Sequence, residues 1–116
     1  YFFLFFITDI DYKDFNKKMD EFNVLTKKKK FIEMANLGLE LLPIFHKIYG
    51  QYHHRISYHM AFILGAVILK PDMHKNEKLS FLKKTQNYVK ITHGPDHFVY
   101  RLTEKMHQSS RDFFNT

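Results

Sequence analysis

The sequence predicts an all-α fold: one domain over residues 1–116, four to five helices in a small bundle, with a hydrophobic N-terminal arm or truncated helix at residues 1–8. Three observations predict it. Apolar residues recur at spacings of three and four through successive segments, the period of one helix face. The segments are punctuated by Pro43, Gly50, Pro71 and Gly94-Pro95, residues that end helices or turn the chain. No strand-like run later in the chain could pair with the aromatic stretch at its start.

That stretch, YFFLFFI at residues 1–7, is the most apolar in the chain. It is too short to cross a bilayer, which needs roughly 20 helical residues. Phe2, Phe3 and Phe5 are therefore expected to lie on a partner or a lipid surface. The chain begins at Tyr1 rather than Met, so a processed or partial chain is expected.

Thr8, Asp9 and Asp11 suit the N-terminus of a first helix over about residues 10–24, because carboxylates favour the positive end of a helix dipole. Tyr12, Phe15, Met19 and Phe22 form its apolar stripe, with Lys13, Lys17, Lys18 and Asp20 opposite. Thr26 is the expected cap of a second helix. Its apolar residues are dense from Phe31 to Leu42, so more than one side should be covered. Pro43 should kink or break it near Leu42, since proline cannot donate to the ladder. The pattern then resumes to Gly50.

Residues 51–69 read as the central helix, stopped by Lys70-Pro71-Asp72. The uncharged stretch from Ile56 to Leu69 is short of a bilayer core, so a buried helix is favoured over a spanning one. Ala61 and Gly65 form a small-x-x-x-small pair through which another backbone could approach closely. A further amphipathic helix carries Leu79, Phe81, Leu82, Gln86, Tyr88 and Val89. After the turn at His93-Gly94-Pro95-Asp96, Asp96 should cap a last helix with Val99, Leu102 and Met106 inward. Residues 109–116 read as a tail.

Composition narrows function by exclusion. The chain has no Cys, which removes disulfides, thiolate metal sites and cysteine nucleophiles. No glycine-rich phosphate loop, nucleophile elbow or H-E-x-x-H motif occurs. Glu33 and Glu40 share one face of an apolar helix, where buried carboxylates could serve as acid–base groups; pairing with a cation in an assembly is the simpler reading. No catalytic residue, metal ligand or cofactor is assigned, and the chain is not expected to be an enzyme.

The histidines fall into two groups. His93 and His97 are four apart, the spacing of a helical zinc pair, with Glu104 or His107 as a possible third ligand. Gly94-Pro95 intervenes, so a capping turn explains them better. His59, inside an apolar stretch, is expected to be neutral and bonded to a backbone carbonyl or a partner side chain, with haem or quinone contact as the alternative. His54-Arg55-Ile56-Ser57 resembles, over four residues, the H-R-x-S stretch of the membrane-anchor subunits of succinate dehydrogenase. Tyr58 stands where that family has a small residue. The resemblance implies three spanning helices and carries no cofactor assignment here.

The formal charge is +6, with Lys27, Lys28, Lys29 and Lys30 consecutive. Phe, Tyr, Asn, Lys and Ile supply 50 residues, and Gly, Ala, Arg and Pro only 13. The first set has A/T-rich codons, so an AT-rich genome or organelle explains the lysines without a ligand. A solvated face or contact with anionic lipid is favoured over specific nucleic-acid binding, for which arginine and a recognition motif are lacking.

The chain carries more apolar surface than a small bundle hides, which marks a partner or a membrane. The expected function is a non-catalytic accessory or structural subunit of a larger assembly, in particular a mitochondrial inner-membrane complex such as a respiratory or ATP synthase complex. The alternative is a basic subunit of a ribonucleoprotein such as a mitochondrial ribosome. Partner, lipid or phosphate contacts are expected at Phe2, Phe3, Phe5, Lys27, Lys28, Lys29, Lys30, Arg55, Ala61 and Gly65.

Overall fold

The computed structural model describes residues 9–115, with side chains described over 12–109. The predicted arm at Phe2, Phe3 and Phe5 lies outside the described residues. Five helices follow in order: α1 (Asp9–Lys27), α2 (Phe31–Tyr49), α3 (His54–Ile68), α4 (Lys75–His93) and α5 (Phe98–Asn115). Among the described residues there is no strand, and the fold is all-α. Each helix packs on the next, and α3 also packs on α5. The shortest dimension of the molecule is 23 Å, room for two helix layers of about 10 Å each. A central helix in two layers keeps one side open, and that helix is α3.

The core is built on α3. Ile56, Met60, Ile63 and Val67, spaced 4-3-4, are all fully buried against Phe22 of α1, Met34, Leu41 and Phe45 of α2, and Phe81 and Leu82 of α4. At the α2–α3 crossing stands Gly38. A Cβ there would come within 2.8 Å of Ile63 Cγ2 and 3.2 Å of Phe22 Cε2. The closest approach of the two helices thus depends on a missing side chain.

Several local expectations are corrected. α2 runs through Pro43 without a break. Pro43 is exposed, so water can serve the Leu39 carbonyl it leaves unpaired, while buried Leu41, Leu42 and Phe45 hold the helix to the core. Thr26 does not cap α2: its hydroxyl donates to the Phe22 carbonyl 2.9 Å away inside α1. Instead, α1 ends in a Schellman turn, with Lys30 N–H donating to Leu25 O and Lys29 N–H to Thr26 O. Lys29 takes the left-handed conformation (φ 58°) where glycine is usual. The central helix begins at His54, later than expected, because His53 caps it. α5 is capped by His97 rather than Asp96, and Leu102 is exposed while Thr103 is buried in its place. The expected tail is also helical, to Asn115. Among the described residues no helix is long and apolar enough to cross a membrane.

Candidate functional site

Two residues past each member of its buried seam, α3 carries a second one: Tyr58, Phe62, Gly65 and Leu69, again spaced 4-3-4, with Leu69 the C-terminal flanking residue. Two positions turn a helix by about 200°, so the two seams face opposite ways. The first is closed by the chain itself. The second leaves Tyr58 44%, Phe62 57% and Leu69 72% exposed.

Grooves follow this seam along its length. At one end Tyr58 and Phe62 face Met19, Phe22 and Asn23 of α1. In the middle Phe62, Gly65 and Leu69 meet Phe31 and Met34 of α2. On the other flank Gly65 and Leu69 face Leu102 and Met106 of α5. Phe31 and Leu102 are about half exposed, so the apolar floor is wider than one helix face.

The rim is basic. Arg55 stands at the Tyr58 end, exposed, with Nη1 donating to Tyr49 Oη at 3.1 Å and the guanidinium 5.6 Å from that ring's centre. Lys27, Lys28, Lys29 and Lys30 are all exposed in the α1–α2 turn beside Phe31. Lys105 lies beside Leu102. Of the predicted contact residues, Arg55 and Gly65 line the grooves along this seam, and Lys29 and Lys30 line one beside Phe31. Ala61 is half-buried, off the seam. Gly65 makes no tight approach: a Cβ there would meet only Met106 Cε, at 3.7 Å. The close packing expected of the Ala61/Gly65 pair occurs at Gly38, which lacks a small partner four residues away and so showed no motif.

At the Tyr58 end, imidazoles gather. Tyr58 lies 4.6 Å from His93 and 6.4 Å from His97 between ring centres, and His93 and His97 are 4.6 Å apart. His53 stacks on His54 at 4.2 Å and on Tyr49 at 4.8 Å. Thr92 joins this end to the core. Its hydroxyl donates to the Tyr88 carbonyl at 2.8 Å, so Ser57 Oγ at 2.7 Å and His93 Nδ1 at 2.8 Å must both donate to it. That fixes the Nδ1–H tautomer of His93. Burial, then the neighbouring His97 and His54, hold His93 below the ordinary imidazole range.

His97 Nδ1 accepts the Val99 N–H at 3.2 Å, and Glu104 is exposed. Among the described residues no three His, Cys, Asp or Glu side chains could hold a metal together. Glu33 and Glu40 are both exposed, not the buried carboxylates that the apolar helix suggested. His59 is buried, with Nε2 donating to the Gly38 carbonyl at 2.8 Å and its ring 4.5 Å from Phe45. Burial lowers its pKa, and the carbonyl bond opposes that in part. It is the neutral, carbonyl-bonded histidine that the sequence suggested.

Compared with known protein families, with curated proteins and with solved structures, the chain matches none.

Proposed function

We propose that this chain is a non-catalytic helical subunit of a larger assembly, and that its α3 seam receives an amphipathic helix of a neighbouring subunit. The observation that carries the reading is the pair of opposed 4-3-4 seams on one helix, one closed and one open. A 4-3-4 spacing is the register in which one helix packs along another. From Tyr58 to Leu69 the seam is about 17 Å long at 1.5 Å per residue, three turns of a partner helix. Arg55, Lys105 and the 27–30 lysines around it favour acidic flanks on that partner. The AT-rich residue usage and the apolar surplus favour a mitochondrial inner-membrane complex, with the lysine turn against anionic lipid.

The test is native sedimentation of the tagged chain, wild type against Phe62→Glu/Leu69→Glu. The wild type should travel with a large detergent-stable particle and the variant as a free monomer with an only slightly lowered melting curve. A wild-type chain that travels alone overturns the proposal. A large particle that ribonuclease disperses, with affinity falling steeply as salt is added, replaces it with the ribonucleoprotein reading.

A further inference from the structure

We propose that the chain is an acid-sensitive latch, in which His53, His74 and His97 hold the starts of α3, α4 and α5 only while their imidazoles are neutral. The three sites share one geometry. Arg55 N–H donates to His53 Nδ1 at 3.1 Å, Asn76 N–H to His74 Nδ1 at 3.1 Å, and Val99 N–H to His97 Nδ1 at 3.2 Å. Each histidine is the residue before its helix and takes the N–H two positions on, the bond ordinarily accepted by Ser, Thr, Asp or Asn. At the start of α2, Lys30 provides no side-chain cap. Every side-chain cap hydrogen bond seen at a helix start among the described residues is therefore an imidazole.

An Nδ1 that accepts a backbone N–H carries no proton; the ring proton sits on Nε2. Protonation sets N–H against N–H and places a positive charge at the positive end of the helix dipole. Imidazole is the side chain whose ordinary titration falls between pH 5 and 8, whereas an Asn or Ser cap does not titrate there.

At His53 the surroundings work in the same direction. His53 faces the Tyr49 ring of α2, with His54 and Arg55 on its own helix. Its pKa is lowered by desolvation, then by His54 and Arg55. His97 faces His93 of α4 and Tyr58 of α3, with Asp96 next to it in sequence in the turn. His74 stands at the opposite end of α3. Its own segment carries Asp72, 3.8 Å from Lys70 Nζ, with Lys75 and Glu77 following it in sequence.

The cap bonds exist only in the folded chain and only with neutral rings, so the folded state takes up protons less readily than the unfolded one. For His53, whose pKa desolvation, His54 and Arg55 lower, that stabilisation is present above the ordinary imidazole range and is lost as the pH falls below it. One cap changes the ratio of folded to unfolded chain roughly fivefold, and three change it roughly a hundredfold. Acid thus loosens the starts of three helices at once, including both that flank Tyr58.

The test compares the full chain with His53→Asn/His74→Asn/His97→Asn, which keeps three caps and removes three titrations. Urea unfolding is measured at pH 7.5 and 5.0. The remaining histidines titrate in both proteins, so the wild type should lose about a hundredfold more of its folding equilibrium constant than the variant. Equal losses overturn the proposal. Hydrogen-exchange protection in the wild type serves if the variant does not fold. The amides of Arg55, Asn76 and Val99 should lose protection between these pH values by more than the amides at the centres of α3, α4 and α5, and a uniform change overturns it.

Discussion

Gly38→Ala sets two opposed terms against each other. In a helix interior, alanine is favoured over glycine by about 1 kcal/mol. At this position the new methyl would lie 2.8 Å from Ile63 Cγ2 and 3.3 Å from its Cδ1. Ile63 is fully buried and branched at Cβ, so Cγ2 has no free rotamer to swing into. Forcing one extra carbon into such a core costs roughly 1–3 kcal/mol. The His59 bond to the Gly38 carbonyl lies at the same crossing and is strained by any separation of α2 from α3. The overpacking term wins, and a net loss of about 1 kcal/mol is expected. With Ile63→Ala in the background, the obstructing methyl is gone and Gly38→Ala should turn neutral or stabilising. The four proteins of this cycle, followed by circular dichroism in urea, should show a coupling of about 1–2 kcal/mol. If Gly38→Ala raises the urea midpoint with Ile63 in place, or if the two changes simply add, the account of the α2–α3 crossing fails.

Other outcomes follow from the same structure. Lys29→Gly relieves a left-handed lysine and should stabilise the chain by about 0.5–1 kcal/mol, seen as a higher urea midpoint at constant slope. Ser57→Ala removes a buried hydroxyl that donates to Thr92 and should cost about 1 kcal/mol in the same assay. Phe62→Ser should cost the isolated chain only about 1 kcal/mol, the worth of its ring pair with Phe22 at 5.9 Å, because the ring is otherwise mostly exposed; a much larger loss would show that the seam is closed within the chain. Burial holds His59 below its ordinary value, so its contribution is present above about pH 6.5 and lost in acid. His59→Leu should accordingly make the acid side of a stability–pH curve shallower.

How much was legible in the sequence depends on the range of the force concerned. The number of helices, their order and most of their inward faces follow from spacing alone: Phe15, Met19 and Phe22 pack on the core as their register requires. His59 was legible as a bonded neutral histidine because an apolar helix offers an imidazole little else. Caps and breaks were harder. Thr26 and Asp96 are better capping residues than Lys30 and His97, yet packing fixed where each helix starts, and the side chain at that position had to serve. Pro43 breaks helices that have no other support, but here buried neighbours on either side hold the chain helical.

By itself the sequence determined an all-helical chain with a surplus of apolar side chains, a lysine turn and no thiol. Only the tertiary structure decided which apolar residues are left over. On α3, Ile56, Met60, Ile63 and Val67 have the same spacing as Tyr58, Phe62, Gly65 and Leu69. Periodicity cannot tell the two seams apart, because burial depends on which helices arrive from elsewhere in the chain. α1, α2 and α4 bury one seam and only flank the other. The three histidine caps were settled in the same way. Each is an ordinary loop residue in sequence, and becomes a hydrogen-bond acceptor only where packing begins a helix at the next position.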